Sequence, residues 1–160
     1  MSLACAIRVA SSADLDTLVA LATAFRDHLR QAGPSPDEFR TSFSHLLARA
    51  AADFLLAQDQ DGQALGYVQI RYRYSAWTSG EDAELEDVFV AATARGRGVG
   101  RRLVTDALAR AQARGCRQVG VATNERNAAA LALYTGLGFR AERVRWDGGR
   151  QLWLEQPLRR

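Results

Sequence analysis

The chain has 160 residues and a mass of 17.5 kDa, with 48% apolar and 24% charged residues, an ordinary globular composition with enough length to bury a sizeable core. Net charge is +3 and the isoelectric point about 9.3, but the arginines are scattered apart from one cluster and Arg159-Arg160. No basic stripe or aromatic platform emerges, so no nucleic acid partner is expected. No apolar run is long enough to span a bilayer, so no membrane partner is expected either. Two cysteines, Cys5 and Cys116, are too few for a disulfide framework and point to a reducing cytoplasm.

The elements follow in order. Ile7-Arg8-Val9 alternates as a short first strand. Ser11 or Ser12 then offers an N-cap, with Asp14 and Asp16 in the first turn. Leu15, Leu18, Val19, Ala22 and Phe25 mark one helical face, and the helix is expected to stop near Gly33-Pro34. Ser35-Pro36-Asp37-Glu38 opens a second helix with Phe39, Phe43, Leu46 and Leu47 as its apolar side. Phe54 to Ala57 reads as a buried strand, Asp61-Gly62 as a hairpin turn, and Tyr67 to Tyr74 as a long strand. Ser75 to Asp82 is expected to be a loop, and Ala83 to Val90 a strand. Leu103, Ala107, Leu108 and Ala111 recur at helical spacing, and Gly115 suits the helix stop. Val119 to Thr123 is the next strand, Asn127 to Leu137 the last helix, and Gly138 its end. Val144-Arg145-Trp146 and Leu152-Trp153-Leu154 are expected to pair around Asp147-Gly148-Gly149. No repeat or linker interrupts this order, so one domain, 1–160, is expected. The class is α/β: a mixed, mostly antiparallel sheet flanked by helices.

The most informative stretch is Arg95-Gly96-Arg97-Gly98-Val99-Gly100-Arg101-Arg102, between a strand and a helix. There the unpaired N–H groups and the positive dipole end of the helix meet, a natural anion site. Glycines let a ligand approach the backbone, and the arginines offer forked donors to phosphate. The glycine spacing is not that of a dinucleotide fingerprint, and the chain has no lysine for a nucleotide P-loop.

Arg95-x-x-Gly98-x-Gly100 resembles the signature of the GNAT N-acetyltransferase superfamily. Leu85-Glu86-Asp87-Val88-Phe89-Val90 upstream resembles that family's central strand. Asn124-Glu125-Arg126-Asn127, Leu133-Tyr134 and Leu137-Gly138-Phe139 resemble its second motif. The likeness runs from about Glu84 to Phe139. The earlier residues match only in their pattern of elements, a two-helix region that often shapes the acceptor site in this family.

The resemblance implies the following. Arg95, Gly96, Arg97, Gly98, Val99, Gly100 and Arg101 would hold the pyrophosphate of acetyl-CoA. Backbone N–H groups of Val88, Phe89 and Val90, mainly Val90, would polarise the thioester carbonyl. Asn127 would meet the pantetheine arm, with helix capping as its plainer role. Tyr134 would protonate the leaving thiolate, with core packing as its plainer role. Transfer would be direct and need no metal, and a homodimer is the family's common assembly.

Glu86 is the expected general base, since many relatives use a carboxylate on this strand; the competing role is acceptor binding. Strand alternation puts Glu84 and Glu86 on one face with Val88 and Val90, and turns Asp87 to the other, as a structural residue. His28 and His45 read as solvated or core residues, without metal-ligand spacing. Glu81, Asp82, Glu84, Glu86 and Asp87 put five acids in seven residues, although Glu81 and Asp82 would lie in the solvated loop. The central motif also resembles the diamine and polyamine branch. The expected partner is therefore a small cationic primary amine. The alternatives are a protein or peptide N-terminus, an aminoglycoside, a silent acyl-CoA sensor on the same fold, and a nucleic-acid-binding domain.

Overall fold

Alternating apolar residues fold roughly the first three-quarters of the chain into a sheet, and capped amphipathic segments cover it. The structure is a computed structural model, and residues 4–141 and 152–158 are described. The chain divides into two compact units, Met1–Asn124 and Glu125–Arg160, taken here in turn.

In the first unit, β1 (Ala6–Val9) leads to a single 3-10 turn, Ser12–Asp14, which enters α1 (Leu15–His28). Ser11 caps that turn in a reciprocal box: its side chain accepts from Ala13, and the Asp14 carboxylate accepts from the Ser11 backbone. α2 (Pro36–Leu47) begins with a second such box between Ser35 and Glu38, and Pro36 sits at its first position. Then come β2 (Ala52–Gln58), β3 (Ala64–Ser75), β4 (Gly80–Val90), α3 (Val99–Ala113) and β5 (Gln118–Val121). The strands lie in sequence order, antiparallel except for the parallel β4–β5 pair. The mixed, mostly antiparallel sheet expected from the sequence is therefore present.

One face of the sheet carries Phe54, Leu56, Tyr67 and Phe89. These pack with Leu18, Val19, Leu21 and Ala22 of α1 and Phe43 of α2. The rings interlock, Phe25 stacking on Phe89 with centroids 5.2 Å apart and Phe43 meeting Phe54 at a tilt of 59° with centroids 4.9 Å apart. The other face, with Leu55, Val68, Ile70 and Leu85 buried, is covered by α3 through Leu103, Val104, Ala107 and Ala111. Polar ties fix the far end of α3: Arg110 reaches Asp53 at 2.6 Å, and the Arg114 guanidinium lies 3.9 Å above the Tyr72 ring. α3 stops as its glycine implies. Gly115 has φ +87, and the amides of Gly115 and Cys116 close on the carbonyls of Gln112 and Ala111.

Two expectations are corrected in this unit. Residues 80–82 are not loop but the start of β4, where Glu81 pairs with Tyr74 and Asp82 with Arg73. Glu81 is drawn in by a two-pronged bond from Arg114, at 2.7 and 3.0 Å, and Asp82 by the Thr78 hydroxyl at 2.7 Å. The first helix also ends earlier than Gly33-Pro34, at His28.

In the second unit, α4 (Ala128–Gly136) is capped by Asn127 and stopped by Gly138. Of the expected last hairpin, Val144-Arg145-Trp146 and the turn Asp147-Gly148-Gly149 lie outside the described residues. Leu152, Trp153 and Leu154 are exposed and in no strand, and no described strand pairs with them.

Candidate functional site

Among the described residues, β4 is paired on both sides only along its first half. Its ladder with β5 runs from Asp82–Gln118 to Leu85–Val121 and ends there, whereas its ladder with β3 continues to Val90. Ala91 donates to the Leu65 carbonyl at 2.8 Å, so its N–H points toward β3. Successive amides of a strand point to opposite edges. The N–H groups of Val90 and Val88 therefore face the edge that the β5 ladder leaves uncovered, and that of Phe89 faces β3. Phe89 itself is buried in the core.

From this open edge the chain passes through a short 3-10 turn, Ala92–Ala94, to the glycine-arginine loop. Arg95 folds back, its Nε donating to the Val90 carbonyl at 3.0 Å and its guanidinium lying 5.7 Å over the Phe89 ring. Gly96 and Gly98 have φ +70 and +85, a region costly for residues with a Cβ. Gly98 is the N-cap of α3 and has no side chain with which to cap it. The first-turn amides of Val99, Gly100 and Arg101 thus lack helical and cap partners. The Val99 side chain is buried and locks the turn onto the core, and Arg97 and Arg101 are exposed. Arg102, by contrast, turns to the Cys5 sulfur at 3.3 Å.

The acidic cluster depends on a one-residue irregularity. Gln69 pairs with Asp87 but Ile70 pairs with Leu85, so Glu86 is an extra residue in β4, a β-bulge. Such a slip reverses the faces of everything beyond it. Glu86 accepts from Gln69 Nε2 at 3.1 Å, Asp87 accepts from the Tyr67 hydroxyl at 3.0 Å, and Glu84 from Arg71 at 3.1 Å. Gln69, Tyr67 and Arg71 alternate along β3 and share one face. Glu84, Glu86 and Asp87 therefore share that face. Two sequence expectations are overturned: Asp87 does not turn away from Glu86, and Val88 and Val90 lie on the opposite face from both.

Burial pushes the Glu86 carboxyl above its ordinary range; the Arg71 guanidinium opposes this, and Asp87 and Glu84 add to it. Burial also raises Asp87, against the hydrogen bond from Tyr67. Sequence reasoning counted Asp87 in the acid run but turned it to the other face, and it missed Gln69 and Arg71 as members of this cluster. Strand alternation puts Gln69 and Arg71 on one face of β3, but no residue type announces the bulge that brings β4 to meet it.

In the second unit, Asn127 Oδ1 accepts from the Ala130 amide at 3.1 Å, so its capping role is present. Tyr134 is buried, and its ring meets Phe139 edge-on at 5.6 Å. This contact and the bonds from Gly138 to Thr135 and Phe139 to Tyr134 complete the α4 stop. Burial raises the Tyr134 hydroxyl above its ordinary value, so it stays protonated at neutral pH. His28 and His45 are exposed.

Residues 18–139 match the model of the acetyltransferase (GNAT) family. The chain belongs to the GNAT acetyltransferase family. It is 33% identical over 100 residues to thialysine N-epsilon-acetyltransferase of Bos taurus, a stretch that covers 61% of this chain and 56% of that protein. It is 36% identical over 150 residues to mycothiol acetyltransferase of Salinispora tropica, covering 84% of this chain and 43% of that one. The chain thus spans about half the length of these curated relatives. A crystal structure of a putative acetyltransferase from Arthrobacter sp. FB24 superposes with a TM-score of 0.83 at 24% identity, over 96% of both chains. It shares the GNAT fold. The family match takes in the β4 edge, the glycine-arginine loop and α4, the segments on which every candidate residue lies.

Proposed function

We propose that residues 1–160 act as one acetyl-CoA-dependent N-acetyltransferase domain, which moves the acetyl group directly onto the primary amine of a small cationic acceptor. The observation that carries this reading is the run from the outward amides of Val88 and Val90 to the uncapped start of α3. A chain of donors at a strand edge that no described strand pairs beyond Leu85, continued by a helix N-terminus, fits a ligand with a carbonyl at one end and phosphates further along.

Acetyl-CoA supplies an activated acetyl group as a thioester. The amides of Val99, Gly100 and Arg101, with Gly96 and Gly98 keeping the surface bare, would hold its pyrophosphate. Arg97 and Arg101 add charge, while Arg95 fixes the loop to the strand that it serves. The Val90 N–H would donate to the thioester oxygen, where charge develops. Asn127, with its Oδ1 committed to the helix cap, has its Nδ2 end as the donor suited to the pantetheine arm. Tyr134, protonated at neutral pH, would give its proton to the departing sulfur. Glu86, raised above an ordinary carboxylate, would take the proton of the incoming ammonium, directly or through water. Asp87, anchored by Tyr67, adds negative charge on the same face. Small amine acceptors in the names of the relatives, such as thialysine, support the substrate class. The expected place of action is the cytoplasm, and a homodimer is the assembly to check by sedimentation.

Two readouts test the proposal together: thermal unfolding with acetyl-CoA, and release of free CoA thiol on adding a primary amine. Ligand at a hundredfold over its dissociation constant adds about 2.7 kcal/mol of stability, a clear rise in melting temperature. Stabilisation together with amine-dependent thiol release is expected. Stabilisation without release would make the protein an acyl-CoA sensor. No stabilisation at millimolar acetyl-CoA would overturn the reading.

A further inference from the structure

The acidic cluster contains its own cation. Arg71 projects from β3 into the carboxylates of β4, with Nη2 3.1 Å from Glu84 Oε2 and Nε 3.4 Å from Glu86 Oε2. Its side chain is 48% exposed and those of Glu84 and Glu86 are 40% and 39% exposed, so the group is reachable from solvent. Among the described residues, the charged groups facing Glu86 are Arg71 from β3 and Glu84 and Asp87 from β4. Gln69 adds a neutral donor, and the Tyr67 hydroxyl is engaged by Asp87. α3 lies on the opposite face. Among the described residues, one guanidinium is thus the sole positive charge among three carboxylates, held by the pair a substrate ammonium would need.

We infer that Arg71 is an internal stand-in for the acceptor's ammonium: it occupies Glu84 and Glu86 in the free protein, and a cationic amine must displace it to bind. Arg71 then sets how selective the site is for positive charge. With Arg71 in place, a weakly interacting monocation gains little by exchanging one cation for another, while a diamine supplies two charges for one. The guanidinium also lowers the proton affinity of Glu86, against the burial that raises it, so removing that charge without replacing it would raise the affinity of the carboxylate for a proton. This inference rests on the reading that Glu86 meets the acceptor amine.

The experiment compares the full-length wild type with Arg71→Gln and Arg71→Lys. The probe is 1,4-diaminobutane. Its dissociation constant and the Glu86 titration are both followed by NMR in protein carrying carboxyl-labelled glutamate, with turnover-versus-pH profiles measured in parallel. Removing one partly exposed charge contact is worth about threefold to fivefold in binding. In Arg71→Gln, diaminobutane is expected to bind about threefold to fivefold more tightly, and the Glu86 titration to move to higher pH; Arg71→Lys, which keeps the charge, is expected to restore both toward wild type. Unchanged or weaker diamine binding in Arg71→Gln, or a Glu86 titration that stays in place, would overturn the inference. A moved Glu86 titration with tighter binding, but an acidic limb of turnover that does not follow it, would uphold Arg71 as the stand-in and remove the base role from Glu86.

Discussion

The loop at the start of α3 and the acidic cluster on β4 sit at the two ends of one short segment, and they are built from different material. The loop is a backbone site: its donors are amides, and its glycines and Val99 serve to present them. The cluster is a side-chain site: Glu84, Glu86 and Asp87 meet Arg71, Gln69 and Tyr67 only because one extra residue shifts the register. A backbone site tolerates changes of side chain but not of conformation. A side-chain site tolerates conformationally neutral changes but not a change in charge. The mutations below divide along that line.

Gly98→Val is expected to have the largest effect. A branched side chain at φ +85 is strained, and it would also intrude where the phosphates approach. The rise in melting temperature with acetyl-CoA should vanish, read by thermal unfolding with and without ligand; a retained rise would detach the glycine loop from cofactor binding. Tyr134→Phe comes next. It keeps the ring against Phe139 and removes only the hydroxyl, so the fold should persist while turnover drops about a hundredfold and the KM for acetyl-CoA barely moves. Unchanged turnover with chemistry rate-limiting would leave Tyr134 as a core residue alone. Glu86→Gln is smaller because higher pH offsets it. The amide is nearly isosteric but takes no proton, so the acidic limb of the turnover profile should disappear and activity should partly return where more free amine exists. If the limb stays and only the acceptor KM rises, Glu86 binds and does not act as base.

The same division explains what could be read from the chain. Gly96, Gly98, Gly115 and Gly138 each stand where the backbone needs positive φ, and both Ser-led capping boxes announce their helices; these are local signals. The loop, the sheet and the two caps of α4 were therefore legible. The bulge at Glu86 was not, because it is defined by a partner strand seventeen residues away, Gln69. Alternation carried past it reversed the faces of Asp87, Val88 and Val90. The acids at positions 81 and 82 were likewise misread as loop, since arginine and threonine partners, not apolar burial, draw them into the strand.

The smallest effect concerns a contact between residues that belong to neither site and serves as a control. Arg8 grips Asp14 with two bonds, at 2.6 and 2.8 Å, and the Ser11 amide adds a third, at 2.8 Å. Together they pull its carboxyl from 3.8 down to about 2. Because the folded-state value is the lower one, the stabilisation is fully present above about pH 4 and is lost as pH falls toward 2. Asp14→Asn should lower the melting temperature at pH 7 by about 2–4 °C, as loss of a cap worth ~1 kcal/mol implies. The gap from wild type should narrow between pH 4 and 2, with acetyl transfer at neutral pH unaffected.

The central claim is that this GNAT fold serves a small cationic amine. Its most direct test is the set of specificity constants for thiol release with diamines, polyamines, aminoglycosides, amino acids and peptides at matched salt. Surface attraction is screened as salt rises, so the comparison belongs near physiological ionic strength. Diamines or polyamines leading there is the expected result. Neutral or anionic acceptors leading under the same conditions would contradict it and remove the carboxylates of β4 as the recognition element.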